Sequence, residues 1–457
     1  MGTKRLLEAA EEAVHIALKC NVDQAQVATF LVDSALTRYA NSQIHQNVAS
    51  KRGGASIKVV VKKQVGTARV NSLEKRQIED AVKNAVRIAE VTPPNEDFKS
   101  LPNPSSWTPI KGTFDRKTAE CTPNFRAEIV KETIDKAHSK SSLIKAVAGS
   151  FFTGSFAFSV SNSLGVSAYA KMSRTSLQTT VISSSGGSQG FGSAEQHSKW
   201  IEDIEPSLVA SEAAETSIKS INPIKIPVGE YEVVLSPRAV ASIFMFLGYI
   251  GFSATSYQDG QSFVKYNLNR QVFDKSLNVK DDSRDAKTLY SLPVDGEGVQ
   301  KKKVQLVEDG RVSAESICYD SFTAGREKNR RSTGHSIPPI FRFSSRPRPF
   351  NILIAPGSSS IEEMVKDTQQ GVFVTRFHYT NPVEPSKAIL TALTRDGTFF
   401  IKNGEITKPV MNLRYTDSML STLKEIPMIG KELDIMAEVT APAMKLQKLR
   451  FTGITQY

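Results

Sequence analysis

Three side chains able to bind or polarise a peptide lie within the segment 375–381, TRFHYTN. They are Arg376, His378 and Tyr379, and the β-branched and aromatic residues around them predict a strand. Imidazole changes its charge near neutral pH, and a guanidinium group binds carboxylates. We therefore treat these residues as a hypothetical substrate-binding groove. An ordinary strand would contain the same residue types.

The residues that bind metals in proteins are scattered along this chain. The six histidines lie in six separate segments and form no HExxH pair (His15, His45, His138, His197, His335 and His378). In DDSRD, Asp281, Asp282 and Asp285 are close enough in sequence to bind a hard cation. An acidic turn explains them better. We predict no cofactor in this chain.

Neither the cysteines nor the glycines form a recognised reactive motif. Cys20, Cys121 and Cys318 lie far apart without a CxxC pair, a pattern typical of isolated reduced thiols. The run GGSQGFGS (186–193) lacks the Lys-Ser/Thr ending of a phosphate-binding loop. We predict a flexible loop at the end of a hairpin there.

The segment 326–348 is basic and is interleaved with aromatic residues. It contains seven arginines and lysines against one acid, Glu327, and Phe341, Phe343 and Phe350 lie within it or just after it. Arginine beside aromatic rings can bind nucleic acid. Because no nucleic-acid-binding fold is predicted around the segment, we expect no such partner and interpret 344–349 as a solvated, mobile loop.

The stretch 229–252, GEYEVVLSPRAVASIFMFLGYIGF, is the most regular part of the chain. It predicts a short buried strand from Tyr231 to Leu235, a helix N-cap at Ser236 and a proline at the first helical position. No charged residue occurs from Val240 to Phe252. A bilayer requires about 20 apolar residues, so this pattern predicts a helix buried in the core.

Size and composition indicate a two-domain protein of the α+β class. The chain has 457 residues, of which 40% are hydrophobic and 23% charged, as in soluble globular proteins. Antiparallel strands and amphipathic helices fill the first half, and short strands divided by turn residues fill the second. We predict a helix-covered antiparallel-sheet domain over 1–225 and a β-rich domain over 226–457.

The net charge and the absence of targeting signals in the sequence indicate where the protein is expected and which partners it favours. The first 20 residues lack the apolar segment of a signal peptide, and no transmembrane window occurs, so we expect a cytoplasmic protein without a membrane partner. The net charge of +11 favours acidic partners.

Several ordered motifs together resemble the TldD/PmbA family, in which TldE is another name for PmbA. Most of the chain takes part, and the strength of the match comes from the order and spacing of the motifs. They include RYANSQIHQ (38–46), KIPVGEYEVVLSPRAV, DDS (281–283), PVDGEGV (293–299), VEDGRV, STG (332–334), NILIAPGSSSIEEMVKDTQQGVFVT (351–375), FIKNGEIT and MIGKEL.

The resemblance implies a zinc metallopeptidase fold from which this chain has lost the metal ligands. In TldD-type subunits, the helix after the strand and turn carries HExxxH, and a later cysteine completes the site. Here Met245, Phe246 and Ile250 occupy the corresponding positions, and 239–253 contains neither His nor Glu. The pattern is similar to that of TldE/PmbA subunits, which partner TldD without a metal site of their own.

Two functions follow as expectations. The first is a non-catalytic subunit of a heteromeric TldD/TldE-type protease, with zinc in a TldD-like paralogue, extended peptide as substrate, and a homodimer when the chain is isolated. The second is a stand-alone peptide-binding protein, or a homo-oligomeric hydrolase that uses residues such as Arg376 and His378. An exposed strand edge of the β-rich domain would capture extended peptide, preferably acidic peptide.

Overall fold

The computed structural model describes residues 3–341 and 346–455. The fold is α+β, with an antiparallel sheet in the first half and a β-rich second half, as the sequence predicts. Arg342 and Phe343 of the basic segment lie outside the described residues. No helix in the described part of the chain is long and apolar enough to cross a membrane.

A six-stranded antiparallel sheet forms the first half, in the order β3-β2-β1-β4-β5-β6. Its strands are β1 (Gln24–Ala40), β2 (Gln43–Val61), β3 (Gln64–Val70), β4 (Ile144–Asn162), β5 (Ser167–Ser185) and β6 (Ser188–Ser198). The helices are α1 (Thr3–Leu18), α2 (Lys75–Val91), α3 (Arg116–Ala119), α4 (Pro123–Ser139) and α5 (Pro206–Lys219).

Helices cover one face of this sheet, and the second half of the chain covers part of the other. Side chains alternate between the two faces of a strand, so one strand contributes to both cores. On β4, Phe151 packs beneath α4 and α5, whereas Phe158 packs against Leu292 and Phe350 of the second half. The two halves therefore share a continuous apolar contact.

The second half contains many short strands with helices between them. Its helices are α6 (Pro237–Gly251), α7 (Ala254–Gln258), α8 (Ser321–Gly325), α9 (Ile361–Lys366) and α10 (Met419–Thr422). Its strands are β7 (Gly229–Leu235), β8 (Val279–Asp281), β9 (Val304–Val307), β10 (Ile352–Ile354), β11 (Gln370–Glu384), β12 (Ile389–Lys402), β13 (Glu405–Pro409), β14 (Leu413–Ser418), β15 (Met428–Ile429), β16 (Asp434–Met436), β17 (Val439–Ala441) and β18 (Met444–Ile454).

Five of these strands close into a ring. They follow the order β11-β7-β18-β14-β12, and β11 also pairs with β12, so that each of the five has two neighbours. Closure removes free edges within the ring, and two short strands extend the sheet outside it: β13 beside β12 and β15 beside β18. Apolar residues of these strands, such as Val233, Val372 and Leu446, are buried in one core together with α6.

The prediction of a flexible loop over 186–193 is wrong beyond its first two residues. Gly186 and Gly187 form a turn with positive φ, but β6 begins at Ser188. The glycines that follow allow α5 to lie directly on the strand, since a Cβ at Gly190 would be 2.0 Å from the Ser217 carbonyl oxygen. Close helix packing, rather than flexibility, explains this glycine-rich sequence.

The prediction of a solvated loop over 344–349 is also wrong for its described residues, since 347–349 are buried and 346 is half-buried, while 344 and 345 lie outside the described residues. Phe341 and Phe350 are buried against Tyr290, with ring centroids 5.2 and 5.0 Å from it. Arg348 is buried as well and pairs with Glu438. Phe341 and Phe350 therefore belong to the contact between the two halves.

Candidate functional site

The candidate site is built around α6, which begins where β7 ends. The Ser236 hydroxyl accepts a hydrogen bond from the Ala239 N–H and donates one to the Thr375 carbonyl on β11. Pro237 occupies the first helical turn, where its missing N–H is not needed. One side chain thus caps the helix and joins it to the strand that carries the predicted groove residues.

Glycines allow α6 to pack closely on its inner side. A Cβ at Gly251 would be 2.2 Å from Cε1 of Phe263, and one at Gly248 would be 2.6 Å from Cδ1 of Ile352. The inner face is completed by buried apolar residues, namely Val240, Ile243, Phe244, Leu247 and Ile250. The prediction of a core helix is correct for this face.

The outer face of α6 is exposed, which the prediction of a wholly buried helix missed. Met245 is 36% exposed and Tyr249 is 40% exposed. Arg238, Ser242, Met245 and Tyr249 follow one another at helical spacing of four, three and four residues, so they form a single stripe. The sequence did not indicate an exposed face, because Met and Tyr are residue types that usually pack in the core.

The three positions that correspond to metal ligands do not converge. Met245 faces outward, Phe246 is partly buried, and Ile250 is only 3% exposed and points into the core. Residues five apart on a regular helix lie about 140° apart. No group of three or more His, Cys, Asp or Glu residues within 3–341 and 346–455 is placed to hold a metal. These residues do not fit a zinc ion.

Of the predicted groove residues, Arg376 is occupied by an internal ion pair. Its guanidinium Nε lies 2.7 Å from Oδ2 of Asp396 on the neighbouring strand, and Nη2 contacts the same oxygen. Asp396 is only 4% exposed at its side chain. This contact favours a structural role for Arg376.

His378 and Tyr379 lie at an irregular point of β11 and remain accessible. The register with β12 shifts between His378 and Asn381, and Tyr379 has φ of +51°. Their ring centroids are 4.2 Å apart, and Tyr379 is 70% exposed. Burial and then the nearby Arg376 and Arg395 charges lower the pKa of His378. These effects favour the neutral form of the imidazole.

A hydrogen bond joins α6 to this irregular segment. The Ser242 and Thr380 hydroxyl oxygens are 2.7 Å apart. Ser242 is a partly buried member of the outer stripe of α6, and Thr380 follows Tyr379 directly. The structure therefore brings the His378–Tyr379 pair beside α6.

A cavity of about 440 Å³ lies at the first turn of α6, between the two halves of the chain. Arg238 projects into it and hydrogen-bonds to Ser193 of β6, and Glu212 of α5 is 3.4 Å from its guanidinium. Burial raises the pKa of Glu212 and of Asp434 on the opposite wall, although Arg238 opposes both shifts.

Glu195 and His197 form a second polar pair at this wall. Nε2 of His197 lies 3.1 Å from the Glu195 carboxylate, and the Gln178 amide donates to the same oxygen. Burial disfavours the charged carboxylate, but His197 and Arg238 outweigh it and lower the pKa of Glu195 to about 2. Glu195 and His197 are two residues apart on β6, but the sequence did not indicate the pair because Gln178 and Arg238, which complete its surroundings, come from other elements.

The DDS and STG motifs meet in a buried network that sequence reasoning left without a role. Asp281 accepts from Nε2 of His335 at 3.0 Å and from the N–H groups of Phe350 and Asn351 at 2.6 Å. Despite the effect of burial, Lys301 and His335 lower the pKa of Asp281. Asp282 and Asp285 pair with Lys280, in agreement with the acidic-turn interpretation.

The PVDGEGV motif joins the two halves by buried charges. Oε1 of Glu297 lies 3.4 Å from Nζ of Lys58 on β2, and its other oxygen accepts from the Ser321 N–H. Asp295 accepts from three backbone N–H groups. Burial and then the Glu297 charge raise the pKa of Asp295 to about 7. These acids hold loops together and are far from solvent.

The architecture and the site place the chain in the class of PmbA/TldA metallopeptidases. Family models match three consecutive parts: the PmbA/TldA metallopeptidase domain 1 over residues 32–89, the central domain over 117–221 and the C-terminal domain over 228–453. Together these models account for most of the chain. The chain belongs to the PmbA/TldD family.

Two curated relatives match along most of their length. "Metalloprotease PmbA" of Escherichia coli O157:H7 is 23% identical over 97% of this chain and 96% of that protein. "Metalloprotease PmbA homolog" of Haemophilus influenzae is 24% identical over 98% of this chain and 96% of the relative.

Solved structures share the fold at lower identity. TldE from Thermococcus kodakarensis superposes with a TM-score of 0.89 at 18% identity and covers 97% of this chain and 100% of that chain. A protein from Thermotoga maritima described as a putative modulator of DNA gyrase gives 0.86 at 21% identity, covering 97% and 99%.

Proposed function

We propose that this chain is the non-catalytic subunit of a TldD/TldE-type heteromeric zinc metallopeptidase that acts on unfolded or extended peptides. The observation that carries the proposal is the surface of α6. Met245 is exposed where a ligand would be, and Ile250 is buried in the core. A family member whose corresponding helix has no metal ligands and packs in the core would keep the fold but could not perform zinc-dependent peptide hydrolysis.

The missing metal is expected in a partner. A TldD-like paralogue with HExxxH and a late cysteine would supply zinc and the activated water, and this chain would complete the peptide-binding surface. In this proposal the division near residue 225 separates a sheet domain from a peptidase-like domain, and the complex works in the cytoplasm. The lack of a membrane-spanning helix in the described residues is compatible with that location.

Two accessible features of the second half support peptide binding. The short strand β13 is exposed at the margin of the closed ring and pairs with β12 on one side; among the described residues, its other side has a backbone contact only at Pro409, whose C=O accepts from the Ile224 N–H. An extended peptide can add to such an edge through backbone hydrogen bonds. His378 provides a partly buried imidazole and Tyr379 an exposed ring near α6.

Co-purification tests the assignment. We expect the tagged chain to capture a paralogue bearing HExxxH from its native extract, with zinc in the complex and none in the isolated chain. Cleavage of an unfolded polypeptide should require both subunits. Replacing the paralogue's motif Glu by Gln should abolish cleavage while leaving assembly intact, which separates catalysis from complex formation. Zinc or cleavage in the isolated chain would contradict the proposal.

A stand-alone peptide-binding protein or homo-oligomeric hydrolase is the alternative. It would use the Arg376, His378 and Tyr379 segment, and the lowered pKa of the half-buried His378 favours it. The Arg376–Asp396 ion pair counts against it, because that guanidinium is already occupied. Peptide cleavage by the purified chain, lost in His378→Ala, would support the alternative.

The net charge of +11 leads us to propose a preference for acidic peptides. Binding of labelled acidic and basic unfolded peptides at low and high salt measures this preference. We expect acidic peptides to bind more tightly at low salt and to lose that advantage at high salt. Equal affinity at both salt concentrations would remove the electrostatic part of the proposal.

A further inference from the structure

A cavity of about 800 Å³ lies in the second half of the chain, and none of its described lining residues belongs to α6. Most of its wall comes from residues 302–305, which lead into β9, from the turn and short helix at 308–316, and from residues 329–333 of the basic segment. The Lys302 N–H donates to the Thr333 carbonyl oxygen at 3.0 Å and joins the first of these segments to the third. The basic segment, which the proposed function leaves without a role, therefore forms one side of this cavity.

Positive side chains outnumber negative ones around this cavity. Its lining contains five cations and three acids, namely Lys302, Lys303, Arg311, Arg330 and Arg331 against Glu308, Asp309 and Glu315. One cation and one acid already neutralise each other, because the Glu315 carboxylate lies 2.8 Å from the Arg330 guanidinium. Four cations then remain against two acids, so the cavity is positive.

Three of the remaining cations, Lys302, Lys303 and Arg331, have no partner of their own. Their side chains are exposed, and none of them forms an ion pair or a hydrogen bond with another residue of 3–341 or 346–455. Arg330, in contrast, is held by its acid and lies 5.2 Å from the centre of the Tyr319 ring. Like charges that line one cavity repel each other, and a bound anion would replace that repulsion with attraction.

We propose that this cavity binds a small phosphate-rich anion of the linear polyphosphate class, a function separate from the proposed peptidase role. Lysine binds phosphate as a point charge, and arginine can donate two parallel hydrogen bonds to it. A volume of about 800 Å³ lies in the range of small-molecule sites and exceeds what one phosphate group requires. With Lys302 and Lys303 on one wall and Arg331 on another, successive phosphate groups of one ligand would each meet a cation.

The lining favours such an anion over a nucleic acid or a peptide. No aromatic side chain of the described residues lines the cavity, so a nucleobase would have no ring on which to stack. The aliphatic residues of the lining, Val304 and Val312, are buried at 4% and 1% exposure and offer little apolar surface to peptide side chains. Charge is therefore the main property that the cavity presents to a ligand.

Calorimetric titration of the full chain with tripolyphosphate, in buffer free of divalent metal ions, tests the site. We expect saturable binding of one tripolyphosphate per chain. Lys302→Gln/Lys303→Gln/Arg331→Gln should weaken this binding at least about tenfold, because it removes the charges that face the ligand. The thermal unfolding of this variant should match that of the wild type, since all three side chains are exposed.

A matched variant separates the cavity from the overall charge of +11. Lys19→Gln/Lys83→Gln/Arg87→Gln removes the same number of exposed cations from α2 and from the residue that follows α1. None of these residues lines the cavity. Tripolyphosphate binding should therefore change by less than about twofold in this variant.

Removal of an acid from the cavity should have the opposite effect. Glu308 lines the cavity, is exposed, and forms no ion pair with the described residues. Glu308→Gln should tighten tripolyphosphate binding about twofold or more, because it removes a charge that repels the ligand. Glu90→Gln, at an exposed position on α2, is the control and should leave the affinity unchanged. General damage to the fold would not tighten binding.

Any of three results would overturn the inference. The first is the absence of saturable binding at millimolar tripolyphosphate. The second is an equal loss of affinity in the two triple variants, which would assign binding to the overall charge. The third is displacement of tripolyphosphate by hexaglutamate at equal concentration, which would identify an acidic peptide as the ligand. Because these measurements use the isolated chain, they do not depend on the proposed paralogue or on peptidase activity.

Discussion

Met245 and Ile250 lie five residues apart on α6 and point in opposite directions, one 36% exposed and the other 3% exposed. In a TldD-type subunit the two corresponding positions would carry the zinc-binding imidazoles. On this regular helix they cannot reach a common ion. Both the residue types and the helix geometry at these positions are therefore unsuited to a shared metal ion.

Restoring the motif by substitution should consequently fail. We expect Met245→His/Phe246→Glu/Ile250→His to bind zinc no more tightly than wild type by calorimetry. Ile250→His alone should lower the free energy of unfolding by about 2–5 kcal/mol, because it removes a buried apolar group and buries a polar one. Met245→His, at the exposed position, should change it by about 0.5 kcal/mol or less. Tight zinc binding by the triple variant would show that α6 can distort.

Substitution of Arg376 should affect folding more than binding. Arg376→Ala leaves the nearly buried Asp396 with only the 3.7 Å contact to Arg395. We expect it to lower the free energy of unfolding by about 2–3 kcal/mol in urea titrations, below the value for a fully buried pair because Arg376 is partly exposed. Tyr379→Ala is the matched control and should be neutral within about 0.5 kcal/mol. The opposite ranking would assign Arg376 to the binding surface.

Acid should weaken the contact that Glu195 makes with His197. The pKa of Glu195 falls from 4.5 to about 2 on folding, so its stabilising effect is complete above pH 4.5 and is lost as the pH falls toward 2. Glu195→Gln should remove about 1–2 kcal/mol at pH 6, after allowance for partial exposure, and less at pH 3. Denaturant unfolding between pH 3 and 7 measures the difference, and a difference independent of pH would contradict it.

Packing of α6 on its neighbours should depend on Gly251. An added Cβ would be 2.2 Å from the Phe263 ring, so Gly251→Ala should lower the free energy of unfolding by about 1–3 kcal/mol. Gly453→Ala is the control, because its nearest neighbour would be the Arg414 Cβ at 3.7 Å. That variant should be neutral or slightly stabilising, by up to about 1 kcal/mol. Equal effects would indicate that α6 shifts to make room.

In the second half, α6 and the strand before it could be predicted from the sequence, because the residues that define them are neighbours in the chain. Ser236, Pro237 and the apolar run after them define a cap, a first turn and a helix within a few residues. The long strands of the first half were equally visible. Short strands such as β8 and β10 were not, because three residues contain no periodicity and gain their structure from neighbours distant in sequence.

The site shows the same division. Arg376, His378 and Tyr379 are neighbours in the sequence. Only the fold shows that Arg376 forms an ion pair with Asp396 and that His378 and Tyr379 lie beside α6. The Glu195–His197 pair and the Asp281–His335 pair were missed for a related reason. Their importance comes from burial and from partners on other segments, which single-residue patterns do not contain.

By itself, the sequence determined the family, the α+β class and the absence of His and Glu from α6, since these depend on residue order along the chain. The tertiary structure decided which face of α6 meets solvent, which arginine is already paired and which strand edge stays open. Those properties depend on long-range packing, where burial and electrostatic interactions arise between segments that are far apart in the chain.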